Sequence, residues 1–284
     1  MLMTKAYAKI NLGLNIVNKD SNDNYHNLDM VMVPIELHDR IEIETLPLGV
    51  DTLITSDDRE LPTDETNIVA KVEKALKEKM NYNNKFRIHI HKIIPVGAGL
   101  GGGSADGAAV LLGINKLLKL KLSIDELCEI AEPIGSDIPF CIRNIASRVE
   151  GKGNEITPIK IKKPLECLIL FPKKSLSTKD VYQKYDQVGS STTADIEGII
   201  SCLENDDLEG LNKAMGNELF DAAASIYPKM NDLVKIMKNE GLDNVMMSGS
   251  GSAIFALSHD KKLLKKAFAN LSSKGYYVVL TKTK

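Results

Sequence analysis

An α+β chain of two domains is what these 284 residues predict, and three observations carry that reading. Strands and helices alternate through the first half. A stretch rich in proline and lysine, "TPIKIKKPL" at 157–165, then interrupts the pattern. Beyond it the elements run β-α-β-β-α-β with helices inserted, the split βαβ order. The boundary accordingly falls at 160, giving domains 1–160 and 161–284.

Each element has a local reason. "AYAKINLGLNIV" (6–17) alternates and predicts a strand, as do "DRIEIETL" (39–46) and "KFRIHIHKI" (85–93). In "TNIVAKVEKALKEKM" (66–80), Ile68, Val72, Leu76 and Met80 recur every fourth residue, the apolar face of a helix. "SADGAAVLLGINKLLKL" (104–120) reads as a helix that is small at its start and leucine-rich later. In "LSIDELCEIAEPIG" (122–135), Ser123 and Glu126 form a capping box and Leu122 and Leu127 a hydrophobic staple, with Pro133 and Gly135 as the stop. The second domain opens with the strand "ECLILF" (166–171) and continues with helices between about 177 and 240. A helix at 228–240 has Pro228 inside its start and Gly241 past its end. Strands "NVMMS" and "SAIFALS", helix "KKLLKKAFANLSSKG" and strand "YYVVLT" close the chain, while "VGSSTTAD" (188–195) reads as a mobile loop.

Composition removes several classes of function. Hydrophobic residues make up 43% and charged residues 26%, and the net charge of −2 provides no positive field for nucleic acid. The basic stretches "KVEKALKEK" and "KKLLKK" mix with apolar residues at helical spacing and read as solvated helix faces. Cys128, Cys141, Cys167 and Cys202 form no CxxC pair, so structural thiols in a reducing compartment are expected. The first residues lack the apolar core of a signal peptide, and no run approaches the ~20 apolar residues of a membrane span. A soluble cytoplasmic protein follows as the expectation.

The segment "PVGAGLGGGSAD" (95–106) holds five glycines between a strand and a helix. Glycines let backbone N–H groups converge on an anion, and the following helix N-terminus adds partial positive charge. A tight turn with Ser104 as helix cap is the bland alternative, but a turn needs one or two glycines. A dinucleotide-binding loop would want an acidic strand end about 20 residues on, where the capped "SIDE" helix stands instead. A Walker A loop needs Lys-Ser/Thr where this chain has Ser104-Ala105, and a protein-kinase loop would bring HRD and DFG motifs that are absent. Two further clusters are ambiguous alone. Asp137 in "GSDIPF" (135–140) reads as a turn aspartate, and "SGSGSAIF" (248–255) as a tight hairpin.

Taken in order, "PVGAGLGGGSAD", "GSDIPF" and "SGSGSAIF" resemble the GHMP kinase superfamily. The segments "AKINLGLNI" and "NYHNLDMVM" resemble those members that phosphorylate a cytidyl-bearing alcohol in the non-mevalonate route to isoprenoid precursors. The resemblance implies an N-terminal domain like ribosomal protein S5 domain 2, a ferredoxin-like C-terminal domain, ATP as donor and Mg2+ as cofactor. It implies that Pro95, Val96, Gly97, Ala98, Gly99, Leu100, Gly101, Gly102, Gly103, Ser104 and Ala105 cradle the phosphates, with Ser104 near the metal or capping the helix. Asn67, Ile68 and Lys92 match positions near the adenine; for Lys92 an exposed strand-end lysine is the other reading. Asp137 is implied as base for the acceptor hydroxyl, or as the group that positions it, with Lys9 beside it. Asn11, two residues from Lys9 on the same strand face, is to orient substrate. Tyr25 and Tyr182 are to sandwich cytosine while His26 reads its edge; Thr178 lies one helical turn before Tyr182. A small-molecule substrate, no nucleic acid, no membrane, and a monomer or homodimer complete the expectation.

The pattern also departs from the family. Asn24 stands where glycine usually precedes the Tyr-His pair, Cys141 replaces an aromatic, and Asn144-Ile145 replaces a glycine pair. Three rival readings meet opposition in the residues themselves. Another superfamily kinase, for a mevalonate- or homoserine-like substrate, has no use for a Tyr-His clamp. A non-catalytic nucleotide binder is opposed by retention of Lys9 and Asp137, and an RNA-binding module by the net charge of −2.

Overall fold

The computed structural model describes residues 1–20, 25–47 and 49–284. Packing divides it into two compact units, neither continuous in sequence. One comprises Met1–Ala8, Leu37–Val96 and Gly101–Asn144, the other Lys9–Glu36, Gly97–Leu100 and Ile145–Lys284. This differs from a single cut at 160. The reason is the length of the first two strands, β1 (Leu2–Lys19) and β2 (His26–Leu46), each of which contributes residues to both units.

In the first unit, β3 (Leu53–Ser56), α1 (Ile68–Met80), β4 (Lys85–His91), α2 (Gly102–Leu117), α3 (Ile124–Ala131) and α4 (Ile138–Arg143) follow in order. β4 lies between β3, to which it is parallel, and β2, which it meets antiparallel from Arg40↔His91 to Leu46↔Lys85. Strand alternation then sorts the side chains. Ile41, Ile43, Phe86, Ile88 and Ile90 are fully buried in one core with Val72 and Leu76 of α1 and Val110, Leu111 and Ile114 of α2. Glycine lets α1 and α2 approach: a Cβ at Gly107 would stand 2.8 Å from Ile68 Cγ2. The expected capping box at Ser123 is present, with Ser123 Oγ accepting from Glu126 N and Glu126 Oε2 from Ser123 N, and Leu122 packs on the core that holds Leu127.

The second unit begins with a hairpin that the charged sequence hid, β5 (Ser147–Gly151) and β6 (Glu155–Pro158). β5 pairs with β2 from Leu28↔Gly151 to Met32↔Ser147, and Arg148 grips Asp29 through two bonds of 2.9 and 2.8 Å. There follow β7 (Glu166–Phe171), α5 (Thr178–Val188), α6 (Ile196–Asn205), α7 (Leu208–Ala214), β8 (Gly216–Asn217), α8 (Phe220–Ile226), α9 (Lys229–Asn239), β9 (Asn244–Met247), β10 (Ile254–Ser258), α10 (Lys261–Ser273) and β11 (Tyr277–Lys282). The last sheet has the antiparallel order β11-β7-β10-β9, which is the arrangement the split βαβ reading requires. Gly241 follows helix α9 at φ +84°, as the sequence predicts, while Pro228 is the N-cap, one residue before the helix and not inside its start. The loop expected to be mobile is anchored: Ser191 N and Oγ donate to Asp221, and Ala194 N and Thr193 Oγ1 to Asn15 Oδ1.

Two substitutions calibrate the first unit. Leu76→Ala removes a fully buried side chain and is expected to cost about 2–5 kcal/mol. Ser123→Ala removes one arm of an exposed capping box and is expected to cost about 1 kcal/mol. Urea unfolding should rank them in that order; a Leu76→Ala cost no larger than that of Ser123→Ala would contradict the core described here.

Candidate nucleotide and substrate site

In the second unit three separated stretches meet around residues Gly97–Leu100. Leu100 O accepts from Lys9 N at 3.0 Å, Ala98 O from Ala253 N at 3.0 Å, and Gly99 O from Ser248 Oγ at 2.9 Å. Gly99, at φ +77°, is required here, because a Cβ would land on the Ser248 carbonyl oxygen and 2.9 Å from Gly251 N. The "SGSGSAIF" segment supplies a six-residue connection, 248–253, between β9 and β10 rather than a tight hairpin. Asn217, which sequence reasoning missed, holds it by donating to Met247 O and Gly249 O.

Lys9 is buried, not on a solvent face, and donates from Nζ to Asn11 Oδ1 at 2.7 Å. Asn11 in turn reaches Met30 Sδ at 3.4 Å. A Cβ at Gly249 would stand 3.2 Å from Lys9 Nζ and 3.4 Å from Asn11 Oδ1. The ammonium and the amide thus share a small polar space against loop backbone.

The aromatic residues also belong to this unit. His26 and Tyr182 face one another at 5.0 Å between ring centroids, inclined by 31°, and Tyr185 meets His26 edge-on at 6.2 Å. His26 Nε2 lies 2.7 Å from Asp186 Oδ1, and Lys19 Nζ is bonded to Oδ2. The Lys19 bond, then the His26 bond, hold the Asp186 carboxyl below its ordinary range. Tyr25 is 64% exposed, and Thr178 Oγ1 meets Ser250 Oγ at 3.0 Å. Asn24, expected to make a left-handed turn before this pair, lies outside the described residues.

The first unit holds Pro95, Val96, Gly101–Ala105, Asn67, Ile68, Lys92 and Asp137. Gly101, at φ +69°, is the residue that caps α2, so Ser104 is inside the first turn and is not the cap. That turn carries no acidic residue and no side-chain capping bond, leaving the leading N–H groups of 102–104 without an internal partner. Ile68 lies against Gly103, whose Cβ would meet Ile68 Cδ1 at 3.2 Å. Asn67 is the cap of α1, accepting from Val69 N at 2.8 Å and donating to Pro62 O. Asp137 is half-buried where α4 begins, and its side chain makes no capping bond to that helix. Asn144 ends α4 in the left-handed conformation at φ +51°, taking the role glycine would have.

Lys92 is no exposed strand-end lysine. Its ammonium is buried between Asp39 Oδ2 and Asp106 Oδ2, each at 2.6 Å. Burial opposes that charge, but the two carboxylates outweigh it and raise the Lys92 pKa. Asp39 Oδ1 also accepts from Ile93 N and Ile94 N, whereas among the described residues Asp106 Oδ1 has no hydrogen-bond partner. Burial pushes the Asp106 carboxyl up to about 8; Lys92 opposes the rise and the Asp39 carboxylate adds to it. One ammonium between two buried carboxyls favours one of them neutral. Neither aspartate was found from sequence, since one sits in an ordinary alternating strand and the other in a small-residue helix.

Residues 67–144 match the family model of the GHMP kinases N terminal domain, and residues 199–277 that of the GHMP kinases C terminal. A 4-diphosphocytidyl-2-C-methyl-D-erythritol kinase of Geobacillus sp. (strain WCH70) is 39% identical over 92% of this chain and 90% of its own. One of Clostridium perfringens (strain SM101 / Type A) is 37% identical over 98% and 97%. The crystal structure of a 4-(cytidine 5'-diphospho)-2C-methyl-D-erythritol kinase superposes with TM-score 0.82 at 27% identity, covering 99% of both chains. A homoserine kinase from Cytophaga hutchinsonii shares the fold at TM-score 0.75 and 19% identity, over 99% of this chain and 94% of its own.

The Asp106 arrangement predicts a pH slope in stability. The folded carboxyl keeps its proton toward pH 8, while the unfolded one loses it near pH ~4. Between those values the folded state binds more protons, so stability falls as pH rises and levels off above the folded pKa. Asp106→Asn should flatten this decline in melting temperature between pH 5 and 8. An unchanged slope in the variant would show that another group is responsible.

Proposed function

This chain belongs to the 4-diphosphocytidyl-2-C-methyl-D-erythritol kinases of the GHMP superfamily, and from that premise we propose how its residues share the work. The reaction is ATP-dependent phosphorylation of the 2-hydroxyl of 4-diphosphocytidyl-2-C-methyl-D-erythritol. The observation that carries the nucleotide half is the α2 N-terminus, which follows glycines and has neither a side-chain cap nor an acidic residue in its first turn. Phosphate oxygens replace the missing partners of those N–H groups and gain from the helix dipole. Pro95–Ala105 form this cradle, and Asn67, Ile68 and Lys92 border the adenine. Because Asn67 and Lys92 already hold bonds within the protein, their contribution is to shape that border more than to donate new bonds.

Phosphoryl transfer asks the protein mainly for positioning and charge stabilisation. Lys9 stabilises the acceptor oxygen as it is phosphorylated, and Asn11, bonded to Lys9, orients the alcohol. Asp137 accepts the hydroxyl proton or fixes its direction. Ser104 and Asp137 offer hard oxygen atoms that suit Mg2+, which usually keeps several waters and binds through one or two protein oxygens plus phosphates. When bound, the ion neutralises phosphate charge. Tyr182 and Tyr25 supply ring faces for cytosine, while His26, tied to Asp186, presents its edge; Thr178 lines the same region. The His26–Tyr182 contact supports this clamp, with cytosine competing for the Tyr182 face. We place the enzyme in the cytoplasm, as a monomer or homodimer without a nucleic-acid partner; among the described residues no helix is long and apolar enough to cross a membrane.

ADP release measured against 4-diphosphocytidyl-2-C-methyl-D-erythritol, mevalonate and homoserine tests the assignment, and only the first should support rapid turnover. Asp137→Asn should abolish that turnover while ATP binding persists. Lys9→Ala should lose most of it, and the double variant should add little further loss because the pair acts as one unit. Preference for mevalonate or homoserine would favour the rival kinase, and near-normal turnover of folded Asp137→Asn would remove that residue from the chemistry.

The clamp has its own signature. Tyr182→Ala is expected to cost about 1–3 kcal/mol in kcat/KM for the cytidyl substrate, by analogy with base–aromatic stacking, with ATP binding unaffected. Tyr182→Phe keeps the ring and should be mild. Unaltered kinetics in folded Tyr182→Ala would refute the clamp.

A further inference from the structure

On the sheet face opposite the core of the first unit, we infer a binding site for a transition-metal dication of the zinc class, made by Asp57, His89 and His91. His89 and His91 are two apart on β4, so both side chains leave the same face, away from the buried Ile88 and Ile90. Their rings stand 4.5 Å apart between centroids. Asp57 follows β3, which runs parallel to β4, and one ligand atom from each of the three residues lies within 4.8 Å of the other two. Zinc bonds to imidazole nitrogen and carboxylate oxygen measure about 2.0–2.2 Å, so two donors at the tetrahedral angle on one ion are about 3.3–3.6 Å apart. Small side-chain rotations close that gap.

The surrounding bonds resemble the outer shell that metal-ligating groups require. Asp57 Oδ1 accepts from Lys92 N at 2.8 Å, which fixes the carboxylate and turns Oδ2 toward His91. His91 Nε2 is 3.2 Å from Glu42 Oε1, and His89 Nδ1 is 2.8 Å from Thr55 Oγ1. Ionised Glu42 only accepts, so the proton of neutral His91 sits on Nε2. Its Nδ1 then presents a lone pair to Asp57 Oδ2 at 3.4 Å, two acceptors facing each other. A cation between them resolves the conflict, and second ring nitrogens bonded to a carboxylate and a hydroxyl orient the imidazoles. Two nitrogens and a carboxylate suit Zn2+, Co2+, Ni2+ or Cu2+ better than Mg2+. The His91 and Asp57 side chains are 37% and 51% exposed, which leaves an ion a path in and room for water as a remaining ligand. The other explanation of the cluster is a doubly protonated His91 bonded to both carboxylates.

The test uses the full chain freed of metal by a chelator. Co2+ should bind one ion per chain saturably and give visible absorption of four- or five-coordinate cobalt, displaced by Zn2+ and retained in excess Mg2+. His89→Ala and His91→Ala should each weaken binding by at least about tenfold. Zn2+ should raise the melting temperature of the parent protein but not of the folded double variant. Absence of saturable Co2+ or Zn2+ binding by the folded parent, or equal binding by the His89→Ala/His91→Ala protein, would overturn the site and leave the protonated His91 network.

Discussion

The buried ammonium of Lys92 fixes where helix α2 can begin. A charge that deep needs opposite charge at hydrogen-bond distance, and its two partners come from β2 and from α2 just past its first turn. Asp39 also binds the N–H groups of Ile93 and Ile94, so one carboxylate holds the chain where it leaves β4. The start of α2 is thereby located by electrostatics, while alanine, valine and leucine packing against α1 locates the rest of the helix. A Cβ on Gly102 would approach to 3.0 Å of Lys92 Nζ, which gives that glycine a reason separate from any phosphate.

A different economy operates around Lys9. There the ammonium donates to the Asn11 amide oxygen and lies close to the backbone position of Gly249. Two buried lysines are held differently, one between two aspartates and one bonded to an asparagine. Composition offers no way to tell them apart; both are single lysines near strand ends or in alternating strands.

Local chemistry was readable wherever a few adjacent residues decide the outcome. The Ser123 cap, the Pro228 and Gly241 limits of a helix, and the closing order of strands and helices all follow from short patterns. What escaped was decided at a distance. β2 begins, before Pro34, in a stretch with no clean alternation, and in the β5–β6 hairpin Arg148 finds its partner across the sheet in Asp29. The two units share two long strands, which no local pattern shows. Two of the motif loops were legible as small-residue segments and the third by its turn aspartate, but Asp39, Asp106, Asp186 and Asn217 carry no local mark. Their importance comes from burial and from partners remote in sequence.

The meeting of Gly99 with the Ser248–Gly251 backbone bears on how this protein could escape an inhibitor. Resistance ordinarily arises by altering a side chain that the drug touches. Here main chain meets main chain: the Gly99 carbonyl is bound by Ser248, and any side chain at residue 99 collides with the facing loop. A compound anchored to these peptide groups would contact atoms that no codon change removes, and bulk added to exclude it would first have to displace the protein's own neighbouring loop.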